Sequence, residues 1–349
     1  MAPTHVPVTY LDFEQPLAAL DARVETLRRD GARGPDERRE LRRLAGERRR
    51  LEREVYDSLS AWERVQLARH VDRPQTLDYL GRSCREFFEL RGDRVFGDDP
   101  AIVAGIGLWQ GKPLAVVGHQ RGHTTAERMQ RNFGMANPEG YRKAMRVFRL
   151  AERLGIPILT LVDTQGAYPG VGAEERGQAE AIAHTMRTMT ELRVPIVSVV
   201  IGEGGSGGAL ALAVADRVLM SQYACYSVIS PEGCAAILHR DKAPASIARA
   251  AAALRLTADD LLAAGVVDAL VPEPAGGAHR NPRRACEALE QAVTHALAEL
   301  RDVAPATLLR TRYEKFRRLG AHVEAGAPPP RSGSTPRTRR SIAKPKTVR

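Results

Sequence analysis

The sequence is poor in cysteine and in long apolar stretches. Its four cysteines form no C-x-x-C pair, which argues against a zinc ribbon or a disulfide framework, and reduced thiols are typical of a cytoplasmic protein. A membrane-spanning helix needs about 18 or more consecutive apolar residues, and the longest candidate, 209–220, is interrupted by Asp216 and Arg217. Glu14 and Asp21 argue against a signal or transit peptide. We therefore expect a cytoplasmic protein without a membrane span.

Sequence signatures of metal and nucleotide sites are also weak. Nine histidines are scattered without ligand spacing, so the sequence predicts no metal site, and there is no P-loop lysine. Gly202-x-Gly204-x-x-Gly207 matches the dinucleotide pattern G-x-G-x-x-G. The acidic residue expected about 20 positions later is missing, because Asp216 comes too early. The match therefore does not indicate a dinucleotide site.

The net charge of +10 is concentrated at the C-terminus. Residues 331–349 contain seven Lys or Arg and no acidic residue, and leaving them out lowers the net charge to +3. Their Pro-, Ser- and Arg-rich composition is typical of a solvated tail. Such a tail can bind nucleic acid or acidic lipid nonspecifically. We expect no specific nucleic-acid partner, because a basic assembly protein would leave the glycine-rich segments described below unexplained.

Three regions differ in composition. Residues 1–72 are charged and predict a helical arm, residues 73–320 predict the main domain, and residues 321–349 form the basic tail. In the arm, Gly31, Gly34 and Pro35 predict a break between two antiparallel helices. One helix face carries apolar residues at a spacing of three to four, or a multiple of it; they are Leu41, Leu44, Leu51, Val55 and Leu59. This face is expected to pack within the protein or against another subunit.

The main domain alternates short apolar runs with glycine-rich turns and helical stretches, which predicts an α/β fold. The runs, which predict strands, are 101–106, 114–117, 156–162, 194–201, 217–220 and 266–271. Helices are expected to begin after Asn137-Pro138 and Ser230-Pro231, where a capping residue precedes proline. Another begins at Thr257, with Asp260 in a variant of the capping box. Residues 282–320 predict C-terminal helices.

Two glycine-rich segments, each after a strand and before a helix, carry the chemistry that the residues suggest. Loop 1 is 163–177 (DTQGAYPGVGAEERG) and loop 2 is 202–210 (GEGGSGGAL). A strand, a glycine turn and a helix N-terminus direct free backbone N–H groups to one point, where they stabilise an oxyanion. The same pattern is also typical of tight helix–strand packing. Spacing alone does not separate the two interpretations.

Loop 2 also matches G-x-S-x-G, the nucleophile elbow of serine hydrolases, with Ser206 as the nucleophile. Asp268 and His279 follow in the order that such a triad requires. The match is weak, because five glycine-dense residues fit the pattern easily. A catalytic serine therefore remains the minor alternative.

Several long segments in a fixed order carry a resemblance. Besides the two loops they are 11–16 (LDFEQP), 73–79 (RPQTLDY), 132–135 (NFGM), 138–143 (PEGYRK), 227–234 (SVISPEGC) and 272–282 (PEPAGGAHRNP). Together they resemble the carboxyltransferase α subunits of bacterial multi-subunit acetyl-CoA carboxylases, from about residue 10 to 320. Gln165 departs from this family, which usually has proline there, and the tail after residue 330 has no counterpart.

The resemblance implies a crotonase-like (ClpP/crotonase) fold, a spiral of ββα units. It implies transfer of a carboxyl group from carboxybiotin on the biotin carboxyl carrier protein to acetyl-CoA, which gives malonyl-CoA in the first committed step of fatty acid synthesis. The resemblance also implies that no cofactor is bound directly. A β subunit carrying a zinc ribbon completes the site, commonly as α2β2, so the isolated chain is expected to be inactive; biotin carboxylase is a further partner. Alternatives are another acyl acceptor such as propionyl-CoA, or another crotonase-fold acyl-CoA enzyme.

The resemblance also assigns site residues. Backbone N–H groups of Gly207, Gly208 and Ala209 would form the oxyanion hole that faces biotin. The carboxybiotin site would be lined by Gly166, Ala167, Tyr168, Pro169, Gly170, Gly204, Gly205 and Ser206. Tyr168 is equally compatible with a packing role. Arg121 is expected either to meet a coenzyme phosphate or to form a surface ion pair.

Overall fold

The computed structural model describes residues 9–29 and 34–320. Gly31 of the predicted break and the basic tail lie outside the described residues. An eight-stranded mixed sheet organises the chain, with the strand order β1-β2-β3-β4-β5-β6-β8 and β7 paired with β5. The strands are β1 (Cys84–Glu89), β2 (Ile102–Trp109), β3 (Lys112–His119), β4 (Ile158–Thr164), β5 (Ile196–Gly205), β6 (Arg217–Ser221), β7 (Cys225–Ser227) and β8 (Ala269–Val271). β1, β2 and β3 are antiparallel, and the other pairs are parallel.

Each of the six predicted apolar runs overlaps a strand, and at least one end of each of these strands differs from the prediction. The largest shift is in β5, which continues through Gly205, so Gly202 and Gly204 lie in the strand rather than in a turn. A Cβ at Gly202 would lie 2.4 Å from a carboxylate oxygen of Asp163, and one at Gly204 would lie 2.7 Å from the Tyr226 ring. These two glycines therefore allow neighbouring side chains to cross the strand.

The described α-helices lie before, between and after these strands in the chain. They are α1 (Gln15–Arg29), α2 (Pro35–Asp57), α3 (Ala61–Ala68), α4 (Thr76–Ser83), α5 (Thr125–Gln130), α6 (Pro138–Leu154), α7 (Val171–Glu175), α8 (Gln178–Glu191), α9 (Ser206–Leu210), α10 (Pro231–Leu238), α11 (Pro244–Leu254), α12 (Ala258–Ala263), α13 (Pro282–Leu300) and α14 (Pro305–Arg317). The three predicted helix starts are confirmed, and the Thr257 hydroxyl accepts a hydrogen bond from the Asp260 N–H. None of the helices in the described part of the chain has the length and apolarity needed to cross a bilayer.

Among its described residues the arm has three α-helices, whereas two were predicted. Helices α1 and α2 run antiparallel: Arg23 pairs with Glu40, whereas Asp21, earlier in α1, pairs with Arg48, later in α2. Helix α3 is separate because Ser60 starts it with reciprocal bonds, its hydroxyl accepting from the Glu63 N–H and its own N–H donating to the Glu63 carboxylate. The division of the chain at residues 72 and 320 stays a prediction.

The sheet is covered on both faces. On one face, α6 and α8 bury Tyr141, Phe148 and Met189 against the strands. On the other, α4 and α13 bury Tyr79 and Leu289. Because β4 and β5 are parallel neighbours, their carboxyl ends reach the same edge of the sheet, which brings loop 1 and loop 2 together.

Candidate active site

Loops 1 and 2 pack backbone against backbone. Thr164, at the end of β4, is paired with Gly204 of β5. A Cβ on Gly205 would lie 2.0 Å from the Gln165 carbonyl oxygen, and one on Gly208 would lie 2.4 Å from the Ala167 nitrogen. Real Cβ atoms do not approach backbone this closely, so glycine is required at Gly205 and Gly208. The tight-packing interpretation of these glycines is correct, and it leaves room for the donor role at their N–H groups.

The turn of loop 1 is fixed by a side chain. Gly166 has a φ of +153°, which favours glycine. The Thr164 hydroxyl donates to the Gly166 carbonyl (2.7 Å) and accepts from the Gly166 N–H (3.1 Å). These bonds hold the loop where it contacts loop 2.

Loop 2 leads into α9, whose first N–H groups have no acceptor within the helix. Among the described residues, the N–H groups of Gly207 and Gly208 donate no hydrogen bond to the protein. Gly208 and Ala209 are buried, whereas Gly207 is partly exposed. The loop therefore presents free donors at a short helix start beside solvent.

A polar cleft of about 440 Å³ lies along the two loops. Of the predicted site residues, Gly166, Ala167, Pro169 and Ser206 line it. The other predicted residues lie around these; they are Tyr168, Gly170, Gly204, Gly205, Gly207, Gly208 and Ala209. Gly207 and Ser206 also border an adjoining apolar cavity of about 330 Å³. Ser206 and Gly207 therefore lie between the polar cleft and the apolar cavity.

Tyr168 is held by packing. Its ring covers Gly170, where a Cβ would lie 2.4 Å from a ring carbon. Its N–H donates to the Ala136 carbonyl and its carbonyl accepts from the Gln178 amide. These contacts favour the packing role for Tyr168.

Ser206, Asp268 and His279 do not form the catalytic triad that the serine-hydrolase alternative requires. The Asp268 carboxylate accepts from the Val218 N–H and pairs with Lys315. The His279 ring stacks on His70 at 3.9 Å. Neither side chain hydrogen-bonds to Ser206 in the described structure, so the arrangement required of a nucleophile elbow is absent from these residues.

Arg121 forms an ion pair, which is one of the two roles expected from the sequence. The pair is largely buried, however, and not at the surface. Its guanidinium lies 3.3 Å from Asp163 and 3.7 Å from Glu203, and its side chain is 14% exposed. The Asp163 carboxylate also accepts from the Glu203 N–H, which ties the end of β4 to β5. A coenzyme phosphate would have to displace these carboxylates.

Sequence reasoning missed Arg69, Glu203 and Glu232, which join this charged cluster beside the cleft. Burial opposes the ionisation of Glu232 and of Arg69. Hydrogen bonds from Arg69 nevertheless lower the pKa of Glu232, and the two carboxylates raise the pKa of Arg69. Arg69 and Glu203 are 134 residues apart, so no local pattern could indicate the pair. The cluster places three fixed charges in the wall of the cleft.

A second charged cluster joins the arm to the main domain. Among the described residues, Glu14, His70 and His279 bring potential metal ligands within 4.8 Å of one another. Glu14 is already bonded by Arg280 (2.7 Å), and both His70 nitrogens have backbone partners, at Thr9 and Asp72. A metal ion would compete with the Arg280 cation. The geometry therefore fits an ion-pair cluster better than a metal site.

Comparison with known proteins shows the family to which the chain is similar. Residues 10–320 match the family model described as acetyl co-enzyme A carboxylase carboxyltransferase-like. The acetyl-coenzyme A carboxylase carboxyl transferase subunit alpha of a Thermus thermophilus strain is 55% identical over 90% of this chain and 99% of that protein. The protein of the same name from Xanthomonas axonopodis pv. citri is 51% identical over 90% of this chain and 98% of its own.

Solved structures show the fold. Transcarboxylase 12S matches with a TM-score of 0.54 at 20% identity. The match covers 67% of this chain and 42% of the transcarboxylase chain. The β subunit of geranyl-CoA carboxylase from P. aeruginosa has a TM-score of 0.51 at 19% identity, covering 70% of this chain and 46% of its own. The predicted crotonase-like α/β fold is confirmed by these carboxyltransferases. With the family match over residues 10–320, the chain belongs to the acetyl-CoA carboxylase carboxyltransferase family.

Proposed function

We propose that this chain is the α subunit of an acetyl-CoA carboxylase carboxyltransferase. It transfers the carboxyl group from carboxybiotin, carried on the biotin carboxyl carrier protein, to acetyl-CoA. The observation that carries the proposal is the similarity to curated α subunits over nearly their whole length. The paired glycine loops support it, because they present the backbone donors that such a reaction requires.

The reaction develops negative charge on two carbonyl oxygens. When the N–C bond of carboxybiotin breaks and CO2 leaves, the charge falls on the ureido oxygen. The freed biotin nitrogen then takes a proton from the methyl group of acetyl-CoA. The resulting enolate carries its charge on the thioester oxygen and attacks CO2 to form malonyl-CoA. Transfer needs no side-chain nucleophile, which agrees with the partners that Asp268 and His279 have elsewhere.

The proposed task of this chain is to stabilise the ureido oxyanion. The backbone N–H groups of Gly207, Gly208 and Ala209 donate to it, and one such donor typically contributes about 3–4 kcal/mol to the transition state. Gly166, Ala167, Pro169 and Ser206 contact the biotin ring in the polar cleft. Tyr168, Gly170, Gly204 and Gly205 act behind this surface by fixing the two loops.

The proposal includes partners. The name subunit alpha, borne by the curated relatives, supports a hetero-oligomer. We place this complex in the cytoplasm. We place the thioester donors and a zinc ribbon on a β subunit in an α2β2 assembly, with biotin carboxylase supplying carboxybiotin on the carrier. No zinc or other cofactor is assigned to this chain.

The test is the reverse reaction, malonyl-CoA-dependent carboxylation of free biotin. The chain is assayed alone, with its β partner, and with methylmalonyl-CoA in place of malonyl-CoA. We expect activity only in the mixture and a preference for malonyl-CoA. Activity of the isolated chain would favour another crotonase-fold enzyme, and a preference for methylmalonyl-CoA would identify propionyl-CoA as the acceptor. A well-formed complex without either activity would contradict the proposal.

A further inference from the structure

Arg69 is the residue that caps α3 in the helical arm, yet its side chain reaches the polar cleft. Its Nε and Nη2 donate to one oxygen of Glu203, at 3.0 and 2.6 Å. Its Nη1 donates to Glu232 at 2.6 Å. One guanidinium therefore joins two carboxylates from different parts of the main domain.

The two carboxylates come from different elements, and both line the cleft. Glu203 lies in β5, three residues before Ser206, and is followed by the proposed oxyanion donors. Glu232 lies in the first turn of α10, directly after Ser230 and Pro231, and also lines the cleft. The guanidinium of Arg69 thus links loop 2 to the start of α10.

Burial makes the link from Arg69 to Glu203 stronger than the link from Arg69 to Glu232. The side chains of Arg69 and Glu203 are 23% and 7% exposed, so their charge-assisted bonds are only weakly screened by water. Glu232 is 40% exposed, and its bond is easier to break without loss of the fold. Because guanidinium is planar and its donors are fixed, the separation of the two carboxylates is fixed too.

We propose that Arg69 is a positioning residue of the reaction. With Glu232, it sets the distance between loop 2 and α10, and hence the width of the cleft that receives the ureido ring of biotin. The helical arm is then part of the active site, although its residues do not touch the reacting atoms. This inference rests on the proposed function, since it concerns the biotin side of that reaction.

A positioning role and a merely stabilising role predict different kinetics. Loss of an ion pair that only stabilises the fold would lower the urea concentration at which half of the protein is unfolded (the urea midpoint). It would leave the KM for biotin and the KM for malonyl-CoA unchanged. A residue that sets the cleft width changes the KM for biotin, whereas the KM for malonyl-CoA is unaffected, because that substrate is recognised elsewhere. The comparison between the two substrates therefore separates the roles.

The experiment uses the assembled complex, with free biotin and malonyl-CoA as substrates. Glu232→Ala is expected to raise the KM for biotin about tenfold, with kcat changed less than about threefold and an unchanged urea midpoint. Arg69→Lys keeps the positive charge and leaves Glu232 unchanged, but it removes the planar guanidinium that bonds both carboxylates. It is therefore expected to raise the KM for biotin as well. Asp259→Ala is the matched control. It breaks the ion pair between Asp259 and Arg64, which belongs to the same helix α3, and this pair lies outside the cleft.

The outcomes are distinct. A raised KM for biotin in both Glu232→Ala and Arg69→Lys, with none in Asp259→Ala, supports the positioning role. A raised KM in Glu232→Ala alone makes Glu232 a direct substrate contact and overturns it. Wild-type constants in both variants, in an active complex, overturn it as well and leave the carboxyltransferase function intact. An inactive wild-type complex removes the function and this inference together.

Discussion

A methyl group added at Gly207 and one added at Gly208 would meet different surroundings. At Gly207 the nearest atom is a methyl of Ile182 at 3.8 Å, an ordinary contact. At Gly208 it would lie 2.4 Å from the Ala167 nitrogen. We expect Gly207→Ala to keep most of the transfer rate, because its N–H and the loop contact remain. Gly208→Ala should separate the loops, abolish most transfer and destabilise the fold by about 1–3 kcal/mol.

These two variants are each other's control and are compared by the reverse transfer rate and the urea midpoint. Gly208→Val would act in the same direction as Gly208→Ala and more strongly. Equal rates in the two alanine variants would mean that the contact between loops 1 and 2 does not hold the donors in place. The glycine pattern predicted both loops, but not which glycines face backbone, because that depends on Gln165 and Ala167 lying opposite Gly205 and Gly208.

At the scale of elements, the buried side chain of Arg312 links helix α14 to helix α8 and to Asp216, which precedes strand β6. Arg312 is 1% exposed, and its guanidinium donates to both carboxylate oxygens of Asp216 at 2.9 and 2.8 Å. It also donates to the carbonyls of Met189, Leu192 and Val194. Arg312→Met would leave a buried carboxylate without its cation, so we expect a loss of about 3–5 kcal/mol in the free energy of unfolding.

Urea denaturation measures this loss, and limited proteolysis between α13 and α14 shows whether the last helix detaches. Arg310→Met, at an exposed position on the same helix, is the control and should change stability by less than about 0.5 kcal/mol. Matching midpoints for the two variants would show that apolar packing alone holds α14.

The elements were predictable where local patterns decide them. Apolar runs indicated six of the strands, and a capping residue before proline indicated the starts of α6 and α10. Strand β1 was missed because it is an edge strand with an irregular register between Arg85 and Phe88, and Phe88 is 70% exposed. Strand β7 has only three residues. Neither shows the regular apolar pattern from which strands are recognised.

At the scale of the whole molecule, the junction between arm and main domain makes stability depend on pH. Burial lowers the pKa of His70 to about 4, and the stacked His279 acts in the same direction. In the unfolded chain a histidine titrates near pH 6.5. The unfolded state therefore binds the proton more readily, so this contribution to stability is complete above about pH 6.5 and is lost as the pH falls towards 4.

We expect the free energy of unfolding to fall by up to about 3 kcal/mol between pH 7 and pH 4 through His70. Glu14 adds a second loss at lower pH. Burial raises its pKa, but the nearby His279 ring and hydrogen bonds from the Leu11 N–H, the Tyr56 hydroxyl and Arg280 lower it to about 2. Its contribution therefore disappears as the pH falls from about 4 to 2. Urea midpoints measured across this range should therefore decline in two stages.

His70→Asn tests the first stage, because asparagine can replace a neutral donor and acceptor without titrating. Its midpoint should decline less from pH 7 to pH 5 than that of the wild type; some decline remains, because burial also lowers the pKa values of His119 and His279. His295→Asn, at a side chain that is 79% exposed, should decline like the wild type. An identical decline in His70→Asn would assign the acid sensitivity to other groups. The arm then would not depend on a neutral His70, although it would still be joined to the domain through Glu14 and Arg280.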